Sequence, residues 1–180
     1  MTDEEARILS SCFKEVKVKK KQLIVQPGFP ARTRNFIANG AMRAYVIGEN
    51  GGEHTILLGI ENWWITDYDS YIFQQPASMF VVALEDSTIM QLPFEKEQEL
   101  KKSNHSYEAF FRVRAEMSHT FQQKRLIDNL TLSAEDRYNS FAGAYPLIVQ
   151  RVPQYTLASY LGMSTEFLSR IRSKARRRAG

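Results

Sequence analysis

The sequence predicts an α+β protein in which an N-terminal antiparallel β-roll of jelly-roll type is followed by a long helix and a C-terminal helix-turn-helix. Short β-type runs separated by turn residues fill residues 16–92, a spacing typical of antiparallel sandwiches, jelly rolls and barrels. After Pro93 the apolar residues recur at helical intervals instead. We therefore expect the roll to span residues 1–102, the long helix residues 103–130 and the helix-turn-helix region residues 131–180.

Composition narrows the class of protein. Hydrophobic residues make up 43% of the 180 residues and aromatic residues 12%, so the chain can bury a core. It has no apolar run long enough to cross a bilayer, and its acidic N-terminal segment lacks the apolar stretch of a secretory signal. Cys12 is the single cysteine, which excludes an intramolecular disulfide and a cysteine-based metal cluster. We expect a cytoplasmic protein that does not associate with membranes.

The sequence contains no familiar catalytic motif. A nucleophile elbow, a Walker loop, a dinucleotide-binding glycine fingerprint and the HExxH motif of zinc proteases are all missing. A jelly roll also suggests a cupin metalloenzyme, but such a site needs several clustered histidines, and the three histidines of this chain are scattered. We therefore expect no enzyme activity, no catalytic residue and no metal site.

Local signals predict the individual elements of the first half. Thr2 and Glu5 stand in capping-box positions at the start of an N-terminal helix. A strong hairpin turn at residues 49–52 joins the strands Met42–Ile47 and Thr55–Leu58. Further strands are expected at Val16–Val18 and Leu23–Val25 and, as a second hairpin around residues 85–87, at Phe80–Leu84 and Thr88–Leu92.

A helix much longer than the others is predicted next. Ser103 or Ser106 can cap it, and it extends to about Asn129, where Ser133 starts a further helix. Residues recur along it at alternating steps of three and four, which is the spacing of a coiled-coil seam, although two of them are polar: Phe110, Val113, Met117, Thr120, Lys124 and Ile127. The alternative is a helix that packs only on its own roll, but a length of ~36 Å favours a dimer contact. The residues assigned to that contact are Phe110, Val113, Met117, Phe121 and Ile127.

The C-terminal region meets the requirements of a helix-turn-helix. Leu157 and Leu161 give the first helix an apolar face, and Ala158 permits a close helix crossing. Gly162 supplies a positive φ in the turn, and Ser164 caps the second helix. A plain αα-hairpin is the alternative interpretation of the same spacing. The second helix is expected to bury an apolar stripe formed by Phe167, Leu168 and Ile171.

Positive charge is concentrated in the same region. Residues 151–180 carry seven basic side chains and one acidic side chain, whereas the other 150 residues carry 17 basic and 19 acidic ones. This asymmetry favours a polyanionic partner. The alternative is a basic tail that is only exposed to solvent, which would carry the same charge. In the major groove, the N-terminal half of the second helix would read base edges and the basic residues beyond it would meet phosphates. The predicted DNA contacts are Ser164, Thr165, Glu166, Ser169, Arg170, Arg172 and Lys174, with Arg176, Arg177 and Arg178 as further phosphate contacts.

With these residues in view, the chain resembles the Crp/Fnr family of bacterial transcription regulators from Glu4 to Ser173. Lys20–Gly28 is similar to the family's KGxxLxxxGD segment, Asn39–Arg43 to its xxGxVRV strand and Gly52–Leu57 to its GKExxL segment. The helix-turn-helix matches in register. The resemblance implies a cyclic-nucleotide-binding-like β-roll, a dimerisation helix and a winged helix-turn-helix. The family's wing follows the second helix, and few residues follow it here, so we expect a wing that is short or absent.

The segment that resembles the family's phosphate pocket departs from the pattern. Where nucleotide-binding members have Gly-Glu, this chain has Thr66-Asp67, and where they have Arg-Ser or Arg-Thr it has Ala77-Ser78. The missing arginine removes the charge-assisted pair of a cyclic phosphate, so tight cAMP binding is not expected. The aromatic residues nearby are either core or the walls of a site for a more apolar effector. The residues assigned to the pocket are Trp64, Thr66, Asp67, Tyr68, Ala77 and Ser78.

The residues and the resemblance together predict a dimeric, DNA-binding transcription regulator. Its expected partners are double-stranded DNA with a near-palindromic site, a second copy of the chain and RNA polymerase. An unidentified small-molecule effector is compatible with the roll, and no cofactor is assigned. The alternative is a small-ligand or cyclic-nucleotide-binding module that does not bind DNA.

Overall fold

The computed structural model describes residues 1–179, with the side chains of residues 1–174. Strands dominate up to residue 93, and only helices follow in the described part of the chain. In chain order, the elements are α1 Asp3–Ser11, β1 Lys14–Val18, β2 Leu23–Val25, β3 Thr33–Asn39, β4 Met42–Ile47, β5 Glu53–Gly59, β6 Trp64–Ile65, α2 Tyr68–Phe73, β7 Phe80–Ala83, β8 Ser87–Pro93, α3 Phe94–Ser103, α4 His105–Thr131, α5 Ala134–Ala144, α6 Pro146–Arg151, α7 Gln154–Tyr160 and α8 Thr165–Ala179.

The strands of the described chain form two antiparallel sheets of four strands each. One sheet has the order β1-β8-β3-β6 and the other the order β2-β7-β4-β5. The core between them takes Ile37 and Ile89 from the first sheet and Met42 and Val81 from the second, each 0% exposed. This arrangement confirms the predicted antiparallel β-roll, and α4 to α8 confirm the predicted long helix and helical C-terminal region.

Turn signals identified one hairpin correctly and one wrongly. The hairpin around residues 49–52 is confirmed, because β4 and β5 pair along their length. The hairpin predicted between Phe80–Leu84 and Thr88–Leu92 is wrong, because β7 lies between β2 and β4 while β8 lies between β1 and β3. Both flanks of each strand are already paired, so the chain crosses between the sheets instead. The Leu84 N–H donates to the Ala41 carbonyl at 2.8 Å at this crossing.

Two predicted helix starts are confirmed by their capping hydrogen bonds. Thr2 caps α1, since its hydroxyl accepts from the Glu5 N–H at 3.2 Å while the Thr2 N–H donates to the Glu5 carboxylate at 2.6 Å. Ser133 caps α5, since its hydroxyl accepts from the Asp136 N–H at 3.2 Å. Short-range polar signals therefore placed both helices correctly.

The cap of the long helix α4 differs from the prediction. Asn104, and neither Ser103 nor Ser106, caps it, because the Asn104 side-chain oxygen accepts from the Ser106 N–H at 2.8 Å. Ser103 is the last residue of α3, and its hydroxyl donates to the Leu100 carbonyl at 2.8 Å. This leaves Asn104, the extended residue between the two helices, as the residue in position to cap.

The C-terminal helices pack directly against the roll. Leu58 of β5 belongs to the same buried cluster as Leu157 of α7 and Leu168 of α8. Polar contacts support this packing, because the Ser159 hydroxyl of α7 accepts from the Thr55 N–H of β5 at 2.8 Å. The helix-turn-helix therefore has a defined position relative to the outer edge of one sheet.

An ion-pair network adds a second connection between the roll and the C-terminal helices. Arg151 ends α6, a helix that was not predicted, and its guanidinium donates to the Glu61 carboxylate at 2.6 and 3.0 Å. It also reaches Glu85. The Arg151 hydrogen bond, aided by the Gly40 N–H at 2.7 Å, holds the pKa of Glu61 at about 2. The network therefore stays charged at neutral pH.

Candidate functional site

Helices α7 and α8 form the predicted helix-turn-helix. Gly162 lies between them with φ +68°, a conformation that residues with a side chain rarely adopt. The Ser164 hydroxyl accepts from the Phe167 N–H at 3.1 Å and so caps α8. Ala158 is 1% exposed, and its carbonyl accepts from the Met163 N–H at 3.0 Å. The small side chain thus lies where the turn closes back on the first helix.

The apolar sides of the two helices face the same core. Leu157 and Leu168 are 0% exposed and Ile171 is 5% exposed. Phe167, which was predicted to share this buried stripe, is 37% exposed, and the guanidinium of Arg170 lies 5.3 Å from its ring centre. Neighbouring residues on a helix do not share a face, so burying Leu168 turns Phe167 towards the edge.

The N-terminal half of α8 lines an open groove of about 950 Å³. The Gln154 side-chain amide donates to the Thr165 carbonyl at 3.2 Å and connects the starts of α7 and α8. Ser164 and Arg172, which were also predicted as DNA contacts, are not part of the lining. The lining consists of the predicted residues Thr165, Glu166, Ser169, Arg170 and Lys174 together with Gln154, Tyr155 and Ser173, which were not predicted.

The groove carries charges of both signs. Arg170 is exposed, and Lys174 forms an ion pair with Glu135 of α5 at 2.9 Å. A hydrogen bond from its own backbone N–H lowers the pKa of Glu166, so this residue is an acceptor at neutral pH. The side chains of Arg176, Arg177 and Arg178, the further predicted phosphate contacts, lie outside the described part of the chain.

The acidic residue of the predicted effector pocket is used by the chain itself. Asp67 is 0% exposed and caps α2, with one carboxylate oxygen accepting from the Ser70 N–H at 3.2 Å. The other oxygen accepts from the Ser78 N–H at 2.8 Å, the Ser78 hydroxyl at 3.2 Å and the Met79 N–H at 3.0 Å. Ala77 beside it is buried as well. The structure therefore brings Asp67, Ala77 and Ser78 together as a closed junction.

The other three predicted pocket residues line a cavity of about 290 Å³ between the roll and α4. Trp64, Thr66 and Tyr68 line it from the roll together with five other residues, and the junction around the buried aspartate is not part of its lining. On the opposite side, Phe121 of α4 packs edge-on against Trp63 with ring centres 5.4 Å apart. Aromatic rings therefore enclose much of this space.

A buried ion pair borders this cavity and was not predicted. Arg34, which lines the cavity and is 3% exposed, donates to both carboxylate oxygens of Glu97 at 2.7 Å. Glu97 is 0% exposed and also accepts from the Tyr71 hydroxyl at 2.8 Å and from the Lys101 ammonium at 2.7 Å. Burial and the nearby carboxylate raise the pKa of Tyr71. No local sequence signal pairs two residues that stand 63 positions apart.

The long helix carries an apolar face that remains exposed in the single chain. Three of the five residues predicted for a dimer contact are exposed, namely Val113 by 43%, Met117 by 59% and Ile127 by 52%. The other two, Phe110 and Phe121, are half-buried against their own chain. The exposed apolar side chains of this helix also include Leu126 and Leu130.

Neither a membrane span nor a metal cluster is found among the described residues. Within them, no helix combines the length and the apolar character that a membrane crossing requires. Among the described side chains, no group of three or more histidines, cysteines, aspartates or glutamates is arranged to hold a metal ion.

Comparison with known proteins gives matches at the level of structure. No family model matches the sequence, and no curated protein matches it. FixK2 from Bradyrhizobium japonicum matches with a TM-score of 0.81 at 12% identity, over 93% of this chain and 86% of that one. CLP from Xanthomonas campestris, a c-di-GMP-responsive global regulator, matches with 0.74 at 13% identity, over 99% and 93%. The catabolite activator protein of Thermus thermophilus matches with 0.60 at 21% identity, over 99% and 85%.

These solved structures define the class of fold. A further match, from Eubacterium rectale, bears the name of the Crp/Fnr family of transcriptional regulators and has a TM-score of 0.72 at 16% identity, over 95% of this chain and 82% of that one. This chain shares the fold of these structures, with a β-roll, a long helix and a helix-turn-helix. The resemblance inferred from the sequence motifs is therefore confirmed for the fold. At identities of 12–21%, the likeness extends to the architecture alone, so the function has to be argued from the chemistry of the groove and the cavity.

Proposed function

We propose that this chain is a sequence-specific DNA-binding transcription regulator of Crp/Fnr type that acts as a dimer. The observation that supports this most directly is the groove at the start of α8. There Arg170 offers a guanidinium that suits the O6 and N7 atoms of guanine, and Glu166 offers a carboxylate that suits a cytosine amino group. Thr165 and Ser169 add hydroxyl groups that can serve either as donors or as acceptors.

The basic residues beyond this half of the helix complete the proposed interface. Arg172 and Lys174 follow along α8 and would meet backbone phosphates. Lys174 is paired with Glu135 in the free protein, but both side chains are substantially exposed. An exposed ion pair of this kind contributes about 0.2–1 kcal/mol to the stability of the fold. A DNA phosphate can therefore replace the carboxylate at little cost in free energy.

The exposed apolar face of α4 supports the dimer. In this proposal residues 1–102 form the sensor roll, residues 103–130 the dimerisation helix and residues 131–180 the DNA-binding segment. Two copies joined along α4 bury the same face of each helix around a two-fold axis. A two-fold dimer presents two recognition helices to successive major grooves, which requires a near-palindromic site.

A charge on this face should separate the copies. Ile127→Glu is expected to weaken the dimer by at least about a hundredfold, because the contact would bury an unpaired carboxylate on each copy. Sedimentation velocity over a range of protein concentrations measures the effect. Asn129→Glu adds the same charge on the opposite side of the helix and should leave the dimer intact. A wild-type protein that remains monomeric at all concentrations would contradict the proposal.

The roll is proposed to respond to an effector other than cAMP. The Asp67 carboxylate is already saturated by hydrogen bonds from its own chain, and Ala77 provides no guanidinium for a phosphate. The aromatic walls of the 290 Å³ cavity suit an apolar or aromatic molecule instead.

Titration calorimetry with cAMP should therefore show no saturable binding at micromolar concentrations. A cyclic phosphate placed at the junction would face a buried carboxylate and no compensating cation, which disfavours binding by several kcal/mol. Cyclic GMP serves as the control for a general nucleotide affinity and is expected to behave in the same way. Micromolar or tighter cAMP binding would show that the roll accepts the phosphate by another route.

Selection from a pool of random DNA duplexes tests the proposed function as a whole. Repeated rounds of binding and amplification are expected to enrich a sequence with two related half-sites. Enrichment of no sequence, together with saturable binding of a small molecule to the roll, would favour the alternative, a ligand-binding module without DNA-binding activity. Nonspecific retention of all duplexes at low salt would not support the proposal, since any basic helix binds DNA under that condition.

A further inference from the structure

A second cavity lies where α4, α5 and α7 meet, apart from the groove, and it shares Phe121 and Tyr145 with the wall of the 290 Å³ cavity between the roll and α4. Its volume is about 90 Å³, which corresponds to the space of about three water molecules. Lys124 and Arg125 of α4 line it from one side, Arg137 and Phe141 of α5 from another, and Tyr160 of α7 closes it. The cavity therefore touches both the proposed dimerisation helix and the first helix of the helix-turn-helix.

The lining of this cavity has an excess of positive charge. It contains three basic side chains and one carboxylate, Asp128. Among the described residues, none of Lys124, Arg125 and Arg137 forms an ion pair. Arg137 donates to two backbone carbonyl oxygens, at 2.8 and 3.1 Å. Such contacts pair two of its three nitrogens but leave its charge without a counter-ion.

Arg125 has one nitrogen without a hydrogen-bond partner, while its guanidinium lies 4.0 Å from the ring centre of Tyr160. Its two terminal nitrogens donate to the carbonyl oxygens of Ile56 at 2.6 Å, Thr55 at 3.3 Å and Tyr160 at 2.9 Å, but its Nε is buried and has no hydrogen-bond partner. Burial also lowers the pKa of this guanidinium, so its charged form is disfavoured where it stands. A buried donor left unpaired costs free energy, and an acceptor with negative charge would remove that cost.

We propose that this cavity binds a small carboxylate of two or three carbons. Such an anion has about four or five non-hydrogen atoms, which matches the space of three waters. Its carboxylate accepts from Arg125 Nε and Lys124 Nζ, and its apolar end lies against the rings of Phe141 and Tyr160. The aromatic walls favour a carboxylate with a hydrocarbon part over inorganic phosphate, which has none.

The bound anion would connect three helices that have separate roles. It would join α4 to α5 and α7, and so bias the position of the helix-turn-helix on the roll. This regulatory consequence rests on the proposed DNA-binding function, whereas binding of the anion does not. A protein that binds the carboxylate but selects no DNA would refute the proposed function and leave this site in place.

Calorimetry of the full chain with sodium propionate, at constant ionic strength set by chloride, tests the site. Saturable binding is expected, and Lys124→Gln should weaken it about tenfold by removing one charge-assisted hydrogen bond. Ala144→Leu narrows the opening, because Ala144 is an exposed residue of the lining, and should abolish binding. Lys102→Gln is the matched control, since Lys102 is an exposed lysine of α3 outside the cavity.

Nuclear magnetic resonance identifies the group that binds. Propionate should shift one arginine Nε–H signal to low field, and Ala144→Leu should prevent that shift while the dispersed spectrum shows that the variant is folded. Absence of saturable propionate binding would overturn the proposal. An equal loss of propionate affinity in Lys102→Gln would also overturn it, because it would indicate a general effect of surface charge. Inorganic phosphate binding as tightly as propionate would overturn the assignment to a carboxylate.

Discussion

Replacing Glu97 by alanine is expected to lower the free energy of unfolding by about 3–5 kcal/mol. The change leaves the guanidinium of Arg34, 3% exposed, without the carboxylate to which it donates two hydrogen bonds of 2.7 Å. It also removes the acceptor of the Tyr71 hydroxyl and the partner of Lys101. Urea unfolding at neutral pH, followed by tryptophan fluorescence, measures the loss.

A neighbouring glutamate provides the matched control. Glu99 is on the same helix and pairs with Lys96 at 2.7 Å, but its side chain is 63% exposed. Glu99→Ala should change the free energy of unfolding by less than about 1 kcal/mol. The double variant Arg34→Met with Glu97→Leu should recover much of the stability that Glu97→Ala loses, because no buried charge remains unpaired. Equal effects of the two alanine variants would contradict a buried, paired role for Glu97.

Arg170→Ala is expected to weaken binding to the selected DNA site by about 1–3 kcal/mol, which is the discrimination that a bidentate arginine–guanine contact provides. Binding to an unrelated duplex should fall much less, since that binding depends on phosphate contacts. Fluorescence anisotropy with both duplexes, at one fixed salt concentration, measures the two affinities. The ratio between them is therefore the informative quantity.

The control variant removes an arginine charge that lies far from α8 in the sequence. Arg7 is an exposed arginine of α1, outside the lining of the groove, so Arg7→Ala should leave both affinities unchanged. An equal loss on both duplexes in Arg170→Ala would assign this arginine to a phosphate contact. An unchanged affinity for the selected site would contradict the proposed orientation of α8.

Local patterns predicted the elements well, and pairings between distant elements less well. Asn–Gly and Gly–Gly turn chemistry is contained within a few residues, so the hairpin at residues 49–52 was found. The wrong hairpin between β7 and β8 had equally good local signals. The pairing is determined by distant strands instead, because β2 and β4 flank β7 while β1 and β3 flank β8. No local pattern shows these neighbours.

The same distinction separates the two parts of the candidate site. The helix-turn-helix is contained in some twenty residues, so spacing alone predicted its turn, its cap and most of the residues that line the groove. The 290 Å³ cavity depends on contacts between the roll and α4. Sequence comparison placed Asp67 in the pocket, but the structure shows its carboxylate closed off by Ser78, eleven positions later. Arg34 was missed because its partner, Glu97, is remote in the chain.

Methylation protection of guanine N7 on the selected duplex tests the central claim most directly, because N7 lies in the major groove. A two-fold dimer that inserts the start of α8 is predicted to protect guanines in two half-sites whose centres lie about 10–10.5 base pairs apart. Protection should disappear in Arg170→Ala at the guanine that this side chain contacts. Tight binding without any protected N7, or with protection in a single half-site, would contradict a dimer that reads the major groove through α8.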